Sequence, residues 1–176
     1  MTQDAATLWR TGLSGAGKSS IAFELEKRLI ASGHACAVLD GDNLRHGLNR
    51  DLGFSPNECR ENIRRVAEVA GLFNDAGLFV VTAFISPYGE DRDNARAIIG
   101  GACFLEIYLD ADLEVCERRD AKGLYAKARA GLIPDFTGVS APYERPSSPA
   151  LTLASGELSI EECVRQVLML IRCRLR

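Results

Sequence analysis

Residues 12–20, GLSGAGKSS, constrain the fold of this chain more than any other segment. They match the pattern G-x-x-x-x-G-K-[S/T] of the phosphate-binding loop (P-loop), which follows a β-strand and opens an α-helix. An apolar run, residues 7–11, precedes the segment, and residues 18–32 that follow it have helical periodicity. The sequence therefore predicts a strand–loop–helix unit that binds the phosphates of a nucleoside triphosphate.

The order of the remaining elements predicts an α/β fold. The predicted strands are residues 7–11, 36–40, 78–84, 103–109 and 150–153. The predicted helices are residues 18–32, 57–76, 89–99, 112–119, 124–130 and 159–174. This alternation favours a parallel sheet with helices on both faces. We therefore predict a P-loop NTPase-type, three-layer αβα sandwich with a central parallel sheet, as a single domain over residues 1–176.

The segment 131–149 differs from the rest of the chain. It contains four of the six prolines and has little hydrophobic periodicity. Long irregular segments inside an ordered domain are often functional lids. We predict that this segment is a lid over the substrates.

Composition excludes several classes of protein. The chain has 47% hydrophobic residues, 26% charged residues and a net charge of −3 at pH 7, which gives no electrostatic case for binding nucleic acid. The longest apolar runs are too short to cross a bilayer, and residues 1–10 contain no apolar run of signal-peptide length. Six cysteines without a C-x-x-C pair favour reduced, buried thiols. We expect a cytoplasmic protein that binds neither a membrane nor a nucleic acid.

The residue types of the P-loop predict how it binds a triphosphate. Its glycines allow a tight turn that aims backbone N–H groups at phosphate oxygens, at the positive end of the following helix. Lys18 is expected to reach the β- and γ-phosphates of ATP, and the Ser19 hydroxyl to bind Mg²⁺. The predicted nucleotide-binding residues are Gly12, Leu13, Ser14, Gly15, Ala16, Gly17, Lys18, Ser19 and Ser20.

Two carboxylates follow the second predicted strand. Asp40 and Asp42 lie in the sequence DGDN, where they would face the γ-phosphate. One can hold or orient Mg²⁺, and the other can accept a proton from an attacking hydroxyl. The same sequence is also typical of a turn, since Asp, Gly and Asn favour turns. The base-reading N-K-x-D element of G-proteins is absent from the sequence, which favours a kinase or an ATPase over a switch.

The chain resembles the adenylylsulfate kinase (APS kinase) family in segments that run in the same order from Leu8 to about Pro146. These segments read LWRTGLSGAGKSS, LDGDNLRHGLN, GFSPNECRENIRRVAEVAGLF, TAFISPY, CERRDAKGLYAKARAG and FTGVSAPYERP. The combination is specific, because few other P-loop kinases join D-G-D-N-x-R-H-G-L to K-G-L-Y and F-T-G.

The resemblance implies transfer of the γ-phosphoryl group of MgATP to the 3′-hydroxyl of adenosine 5′-phosphosulfate (APS), which gives 3′-phosphoadenosine 5′-phosphosulfate (PAPS). It also implies a homodimer, a mobile lid and an ATP sulfurylase as a fused or associated partner. By position, Asp40 would lie near Mg²⁺ and the acceptor hydroxyl, with Asp42 supporting it. Arg119 would lie near the ATP base.

The resemblance also implies an acceptor site. Arg45 and Asn62 would contact the phosphosulfate and the sugar of APS, and Phe54 and Phe136 would stack on its adenine. The other implied acceptor residues are Arg60, Ile85, Ser86, Lys122 and Leu124. The resemblance also implies a phosphoserine intermediate at the position of Ser86. Ser86 is therefore a fourth catalytic candidate beside Lys18, Asp40 and Asp42. A P-loop and a positioned acceptor nevertheless suffice for direct in-line transfer.

The chain departs from the family pattern at several positions. Cys59 stands where an arginine is usual, and Arg60 lies about 100° further around the predicted helix, so it does not replace that arginine. Arg10 replaces an aromatic residue, Gly89 an arginine and Ala126 a lysine. Two alternatives therefore stay open: a kinase with another nucleotide-like or sugar acceptor, and a degenerate kinase domain that senses a nucleotide.

Overall fold

Five parallel strands form the sheet of this protein, whose computed structural model describes residues 4–175. The strands are β1 (Thr7–Thr11), β2 (Cys36–Asp40), β3 (Phe79–Ala83), β4 (Phe104–Leu109) and β5 (Leu151–Leu153). Their order across the sheet is β2-β3-β1-β4-β5, which makes β1 the central strand. Because the strands are parallel, the P-loop, the end of β2 and the loop after β3 meet at one edge of the sheet.

Seven helices connect and flank the strands within the described residues. They are α1 (Lys18–Ala31), α2 (Gly41–Arg45), α3 (Pro56–Asp75), α4 (Gly89–Ile99), α5 (Leu113–Arg118), α6 (Leu124–Arg129) and α7 (Ile160–Leu170), followed by a 3₁₀ turn, Arg172–Arg174. Capping boxes start two of the helices. Ser55 and Glu58 form the box of α3, and Ser159 and Glu162 that of α7, so each side chain satisfies a backbone N–H that the helix leaves free.

The core has two halves, one on each face of the sheet. Successive side chains of a strand point to opposite faces. Leu8 of β1 accordingly packs among buried residues of α1 and α7, whereas Trp9 packs among buried residues of α3 and α4. Both side chains are fully buried. The predicted three-layer αβα sandwich with a central parallel sheet is confirmed.

Apart from shifts of one residue at the ends of several elements, the observed elements differ from the predicted ones in two places. The DGDN sequence opens the short helix α2, because the Asp40 side chain accepts hydrogen bonds from two backbone N–H groups of its first turn. The last helix, predicted for residues 159–174, ends at Leu170 and tightens into the 3₁₀ turn, as helix ends often do. Among the helices of residues 4–175, none is long and apolar enough to span a bilayer.

Candidate active site

The P-loop lies against the carboxyl end of β4 and against α5. Gly12 and Gly15 have φ angles of +151° and +79°, which side-chain-bearing residues rarely adopt. A Cβ atom on Gly12 would lie 2.8 Å from the carbonyl oxygen of Leu109, and one on Gly15 would lie 2.7 Å from that of Cys116. The loop therefore requires glycine at both positions for its conformation and for its close contact with the sheet.

Lys18 lies inside the loop. Its Nζ donates hydrogen bonds to the carbonyl oxygens of Gly12, at 2.9 Å, and Leu13, at 2.6 Å. Its side chain is buried, and burial lowers the pKa of the ammonium to about 8. In this position the ammonium can exchange its two carbonyl partners for phosphate oxygens of a nucleotide held by the loop.

Ser19 and Asp40 form the second part of the nucleotide side. Ser19 Oγ donates a hydrogen bond of 2.7 Å to Asp40 Oδ2, while Asp40 Oδ1 accepts from the N–H groups of Asp42, at 3.1 Å, and Asn43, at 3.3 Å. The cap on α2 therefore fixes the orientation of this carboxylate. Asp40 is 6% exposed, so it presents one oxygen to the loop in a restricted geometry.

The pair formed by Ser19 and Asp40 fits a magnesium ion that also binds the nucleotide. Mg²⁺ in phosphotransferases takes one or two protein oxygens and completes its shell with phosphate oxygens and water. Across residues 4–175, no group of three or more His, Cys, Asp or Glu side chains is arranged to hold a metal by itself. Two oxygen ligands of this kind could hold a metal only together with further ligands, such as the phosphates of a nucleotide.

Asp42 lies apart from the pair of Ser19 and Asp40. Its carboxylate forms an ion pair with the ammonium of Lys122, which links α2 to the turn before α6. Both side chains are exposed, at 72% and 65%, so the pair contributes little to stability by itself. Asp42 and Lys122 thus meet across the cleft rather than facing the P-loop with Asp40.

Arg45 and Phe54, two of the predicted acceptor residues, contact each other. The Arg45 guanidinium carbon lies 4.0 Å from the centroid of the Phe54 ring, and Nη1 donates to the carbonyl oxygens of Leu52 and Gly53. The Phe54 side chain is exposed, at 68%, although a phenylalanine gains by burial. Its free ring surface suits a flat aromatic ligand such as a purine base.

The first turns of α3 contain three further candidates. Asn62 is buried and accepts a hydrogen bond of 2.8 Å from the amide of Asn49. The Cys59 thiol, half buried, donates to the carbonyl oxygen of Phe54. Arg60 pairs with Glu90 and Asp91 of α4, each at 3.2 Å. Arg60 is therefore engaged with another helix, which agrees with its displacement around α3 from the position of the usual arginine.

Ser86 has a strained backbone and a buried hydroxyl that accepts a hydrogen bond. Its φ angle is +49°, which is uncommon outside glycine. Its Oγ accepts a hydrogen bond of 3.2 Å from the indole of Trp9, and its carbonyl oxygen accepts one of 2.7 Å from Arg92. The neighbouring Ile85 carbonyl accepts from the Thr11 hydroxyl at 2.7 Å. The loop after β3 is thus tied to the central strand and to α4.

The carboxyl-terminal part of the predicted lid is attached to the same loop. The Glu144 side chain accepts a hydrogen bond of 2.6 Å from the N–H of Gly89, and its carbonyl oxygen accepts one of 2.8 Å from Arg92. A Cβ atom on Gly89 would lie 3.2 Å from Glu144 Oε2, so the glycine that replaces the usual arginine suits this contact. The Phe136 ring is half buried, with its edge against Tyr125 at 5.0 Å between centroids.

Arg119 and α6 border the P-loop from the other side. Arg119 donates to the carbonyl oxygens of Ser155 and Gly156 after β5. Leu124 begins α6, and the next residue, Tyr125, donates from its hydroxyl to the carbonyl oxygen of Ser14 at 2.8 Å. This contact fixes the tip of the P-loop.

The structure joins three pairs of the predicted site residues, and it adds two residues that had no assigned role. The pairs are Ser19 with Asp40, Asp42 with Lys122, and Arg45 with Phe54. Arg92 holds Ser86, Glu106 and Glu144 at once, but a single arginine in a polar helix gives no signal of this in the sequence. Arg10 is fully buried beneath α1, and its signal was a cation in the middle of an apolar strand.

A family model described as "Adenylylsulphate kinase" matches residues 4–154. The chain belongs to the adenylyl-sulfate kinase family. It is 54% identical over 167 residues to an adenylyl-sulfate kinase of Geotalea uraniireducens, covering 95% of this chain and 80% of that protein. It is 56% identical over 161 residues to an adenylyl-sulfate kinase of Prochlorococcus marinus, covering 92% and 80% respectively. The resemblance read from the sequence is confirmed.

A solved adenylyl-sulfate kinase has the same fold over its whole length. The structure of the Mycobacterium tuberculosis APS kinase in complex with AMPPNP and APS has a TM-score of 0.93 with this chain. The two are 49% identical, and the similarity covers 97% of this chain and 99% of that one. The relative's complex contains an ATP analogue and APS together, which agrees with a cleft that has a P-loop on one side and an aromatic–arginine pair on the other.

Proposed function

We propose that this protein phosphorylates the 3′-hydroxyl of adenosine 5′-phosphosulfate with ATP, giving PAPS and ADP. The observation that carries the proposal is the hydrogen bond between Ser19 and Asp40, which joins the P-loop to the end of β2. This contact brings a hydroxyl and a carboxylate, ligand types that suit Mg²⁺, together at the start of α1, next to α2, the helix that contains Arg45. A relative of 49% identity whose structure contains both AMPPNP and APS supports the choice of substrates.

On the nucleotide side, backbone N–H groups of residues 12–20 hold the phosphates at the amino end of α1. Lys18 binds the β- and γ-phosphates. Ser19 and Asp40 would hold Mg²⁺, which would supply positive charge to the phosphoryl group. Arg119 lies beside the base.

On the acceptor side, Arg45 binds the phosphosulfate, since a guanidinium matches the oxygens of phosphate and sulfate. Phe54 stacks on the adenine through its exposed face. Asn62, Ile85 and Leu124 complete the walls, and Lys122 supplies a second cation that is now paired with Asp42. We assign Phe136 to the same adenine, which requires its ring to leave Tyr125 as the lid closes over both nucleotides.

The chemical step is a direct transfer. The 3′-oxygen of APS attacks the γ-phosphorus, the bond to ADP breaks, and the proton of the hydroxyl passes to Asp40. Asp42, which the structure pairs with Lys122, has no part in this step. Ser86 positions the acceptor through its backbone and remains unphosphorylated. Its hydroxyl is buried and already accepts a hydrogen bond from Trp9, so it is poorly placed to attack a phosphate.

We further propose a homodimer, a cytoplasmic location, and an ATP sulfurylase as a fused or associated partner that supplies APS. The basis is the family resemblance of the single domain over residues 1–176. Sedimentation would test the dimer.

The activity is tested by incubating the protein with MgATP and APS and quantifying PAPS and ADP over a range of APS concentrations. Equal amounts of PAPS and ADP are expected. ADP formation with sugars or other nucleotides in place of APS would instead favour a different acceptor. Thermal stabilisation by ATP or PAPS without turnover of any acceptor would favour a nucleotide sensor. Omission of Mg²⁺ is the matched control and is expected to abolish transfer.

A further inference from the structure

Arg10 is a charged residue in the least solvent-accessible part of the molecule. It lies in β1, the central strand, and its exposed fraction is 0%. Its Nε donates to the carbonyl oxygen of Thr82 at 2.8 Å, and its Nη1 donates to that of Lys18 at 2.7 Å. The guanidinium therefore bridges β3 and the first turn of α1, directly after the P-loop.

The guanidinium of Arg10 forms no contact ion pair in the part of the chain that the structure describes. Among residues 4–175, no carboxylate lies within ion-pairing distance of its guanidinium, and Nη2 is buried without a hydrogen-bond partner. A buried charge without a counterion is strongly unfavourable. The Asp40 carboxylate acts on this charge only from beyond ion-pairing distance. A second anion that could compensate the charge at this end of the sheet is the polyphosphate of a nucleotide.

Electrostatic coupling to the P-loop agrees with this reading. Burial lowers the pKa of Arg10 to about 9, while the Asp40 carboxylate acts against that shift, so the guanidinium remains a cation at neutral pH. After burial, the Arg10 charge is the next cause that lowers the pKa of Lys18. Arg10 thus lies close enough to act electrostatically on both Asp40 and Lys18.

We propose that Arg10 is a positioning residue of the ATP site. It holds the first turn of α1, which begins at Lys18, and its positive charge favours the binding of ATP over that of ADP, which has less negative charge. The inference rests on the proposed use of ATP and adds to it a residue that contacts no substrate. An aromatic residue at this position would supply packing but neither the carbonyl contacts nor the charge.

The test is the affinity of Arg10→Met for ATP and for ADP, measured by titration calorimetry without acceptor. Methionine has a similar length and no charge. Because the attraction grows with ligand charge, we expect roughly tenfold weaker binding of ATP and roughly threefold weaker binding of ADP. The preference for ATP over ADP therefore falls, which a purely structural role would not cause.

Leu8→Ala is the matched control, since Leu8 lies in the same strand, faces the same half of the core and is equally buried. It is expected to lower the melting temperature without changing the ratio of the two affinities. Arg10→Lys keeps the positive charge but lacks the guanidinium group, and its ratio of ATP to ADP affinity should equal that of the wild type. If Arg10→Met does not fold, Arg10→Gln is the neutral variant, because its amide can still donate to one carbonyl.

An unchanged ratio of ATP to ADP affinity in the neutral variant would overturn the proposal. An equal fall of the ratio of ATP to ADP affinity in Arg10→Lys and in the neutral variant would also overturn the proposal, because Arg10→Lys keeps the charge. Measurements of ATP binding and PAPS formation by the wild type distinguish failure of this proposal from failure of the proposed function. If it binds ATP but makes no PAPS, the kinase assignment fails while the role of Arg10 can still be measured.

Discussion

The indole Nε1 of Trp9 donates a hydrogen bond across 3.2 Å to the hydroxyl oxygen of Ser86, inside the protein. The donor belongs to the central strand and the acceptor to the loop after β3. Ser86 is 2% exposed, and its strained backbone is fixed by Arg92. The hydroxyl is a structural acceptor in this arrangement rather than a free nucleophile.

The first prediction follows from this contact. Incubation with MgATP in the absence of APS should leave the intact mass of the protein unchanged, because no phosphoserine forms. Ser86→Ala should lower kcat by no more than about tenfold, the effect of losing one hydrogen bond. A mass increase of one phosphoryl group that is present in the wild type and absent in Ser86→Ala would contradict direct transfer.

Lys18→Ala should reduce PAPS formation by roughly 10³-fold, because the loop loses the cation that stabilises charge on the phosphoryl group. The measurement is turnover at saturating ATP and APS, together with the melting temperature. Lys27→Ala, an exposed lysine further along α1, is the control and should retain full activity. Comparable losses in both variants would remove the special role of Lys18.

Cys59→Arg should lower the KM for APS by roughly tenfold. The substitution restores the arginine usual in the family, and one charge-assisted hydrogen bond contributes about 1.5–3 kcal/mol. Steady-state kinetics with APS as the varied substrate give the answer, and the KM for ATP should not change. Cys59→Ser removes the thiol without adding charge and should leave both constants as they are. An unchanged KM for APS in Cys59→Arg would mean that the acceptor site is complete without this arginine.

Gly15→Ala should abolish ATP binding, because its Cβ would lie 2.7 Å from the carbonyl oxygen of Cys116 and displace the P-loop. Gly33→Ala is the control, because it introduces a side chain at a positive φ angle without a steric clash. Gly33 has a φ angle of +83° with no atom within 4 Å of a Cβ, so only a stability loss of roughly 1 kcal/mol is expected. Titration calorimetry with ATP and thermal unfolding distinguish the two, and ATP binding by Gly15→Ala would show that the loop relaxes around the methyl group.

Arg92→Ala should destabilise the fold by about 3–5 kcal/mol, because it leaves Glu106 buried with its main partner removed. Arg96 pairs with the same carboxylate at 3.3 Å but is 39% exposed, so Arg96→Ala should cost about 1 kcal/mol or less. Denaturant unfolding monitored by circular dichroism gives both values. Similar values for the two variants would argue against burial as the source of the difference.

The sequence predicted the sheet well because its signals are local. The P-loop identifies both the strand before it and the helix after it, and the apolar runs of the other strands are short and separated by helical stretches. The missed helix α2 had a local signal as well. Asp40 is an N-cap residue, but DGDN reads equally well as a turn when its neighbours in space are unknown.

The site was predicted less completely because its contacts join distant segments. Asp42 and Lys122 are 80 residues apart in sequence, and Arg92 reaches Glu144 over 52 residues. A motif assigns a position to each of these residues but gives no direction for its side chain. Phe136 shows the same limit, since its edge-on contact with Tyr125 depends on how the lid packs against α6.

The last three residues of β1 each hold a different part of the cleft. Trp9 contacts the loop after β3, Arg10 contacts the first turn of α1, and the Thr11 hydroxyl lies 2.8 Å from that of Tyr143 in the segment 131–149. A one-residue shift of a strand moves every side chain to the opposite face. An insertion or deletion within residues 7–11 would therefore detach all three parts at once. A substitution in this strand changes one of these contacts, whereas a change in its length changes their register.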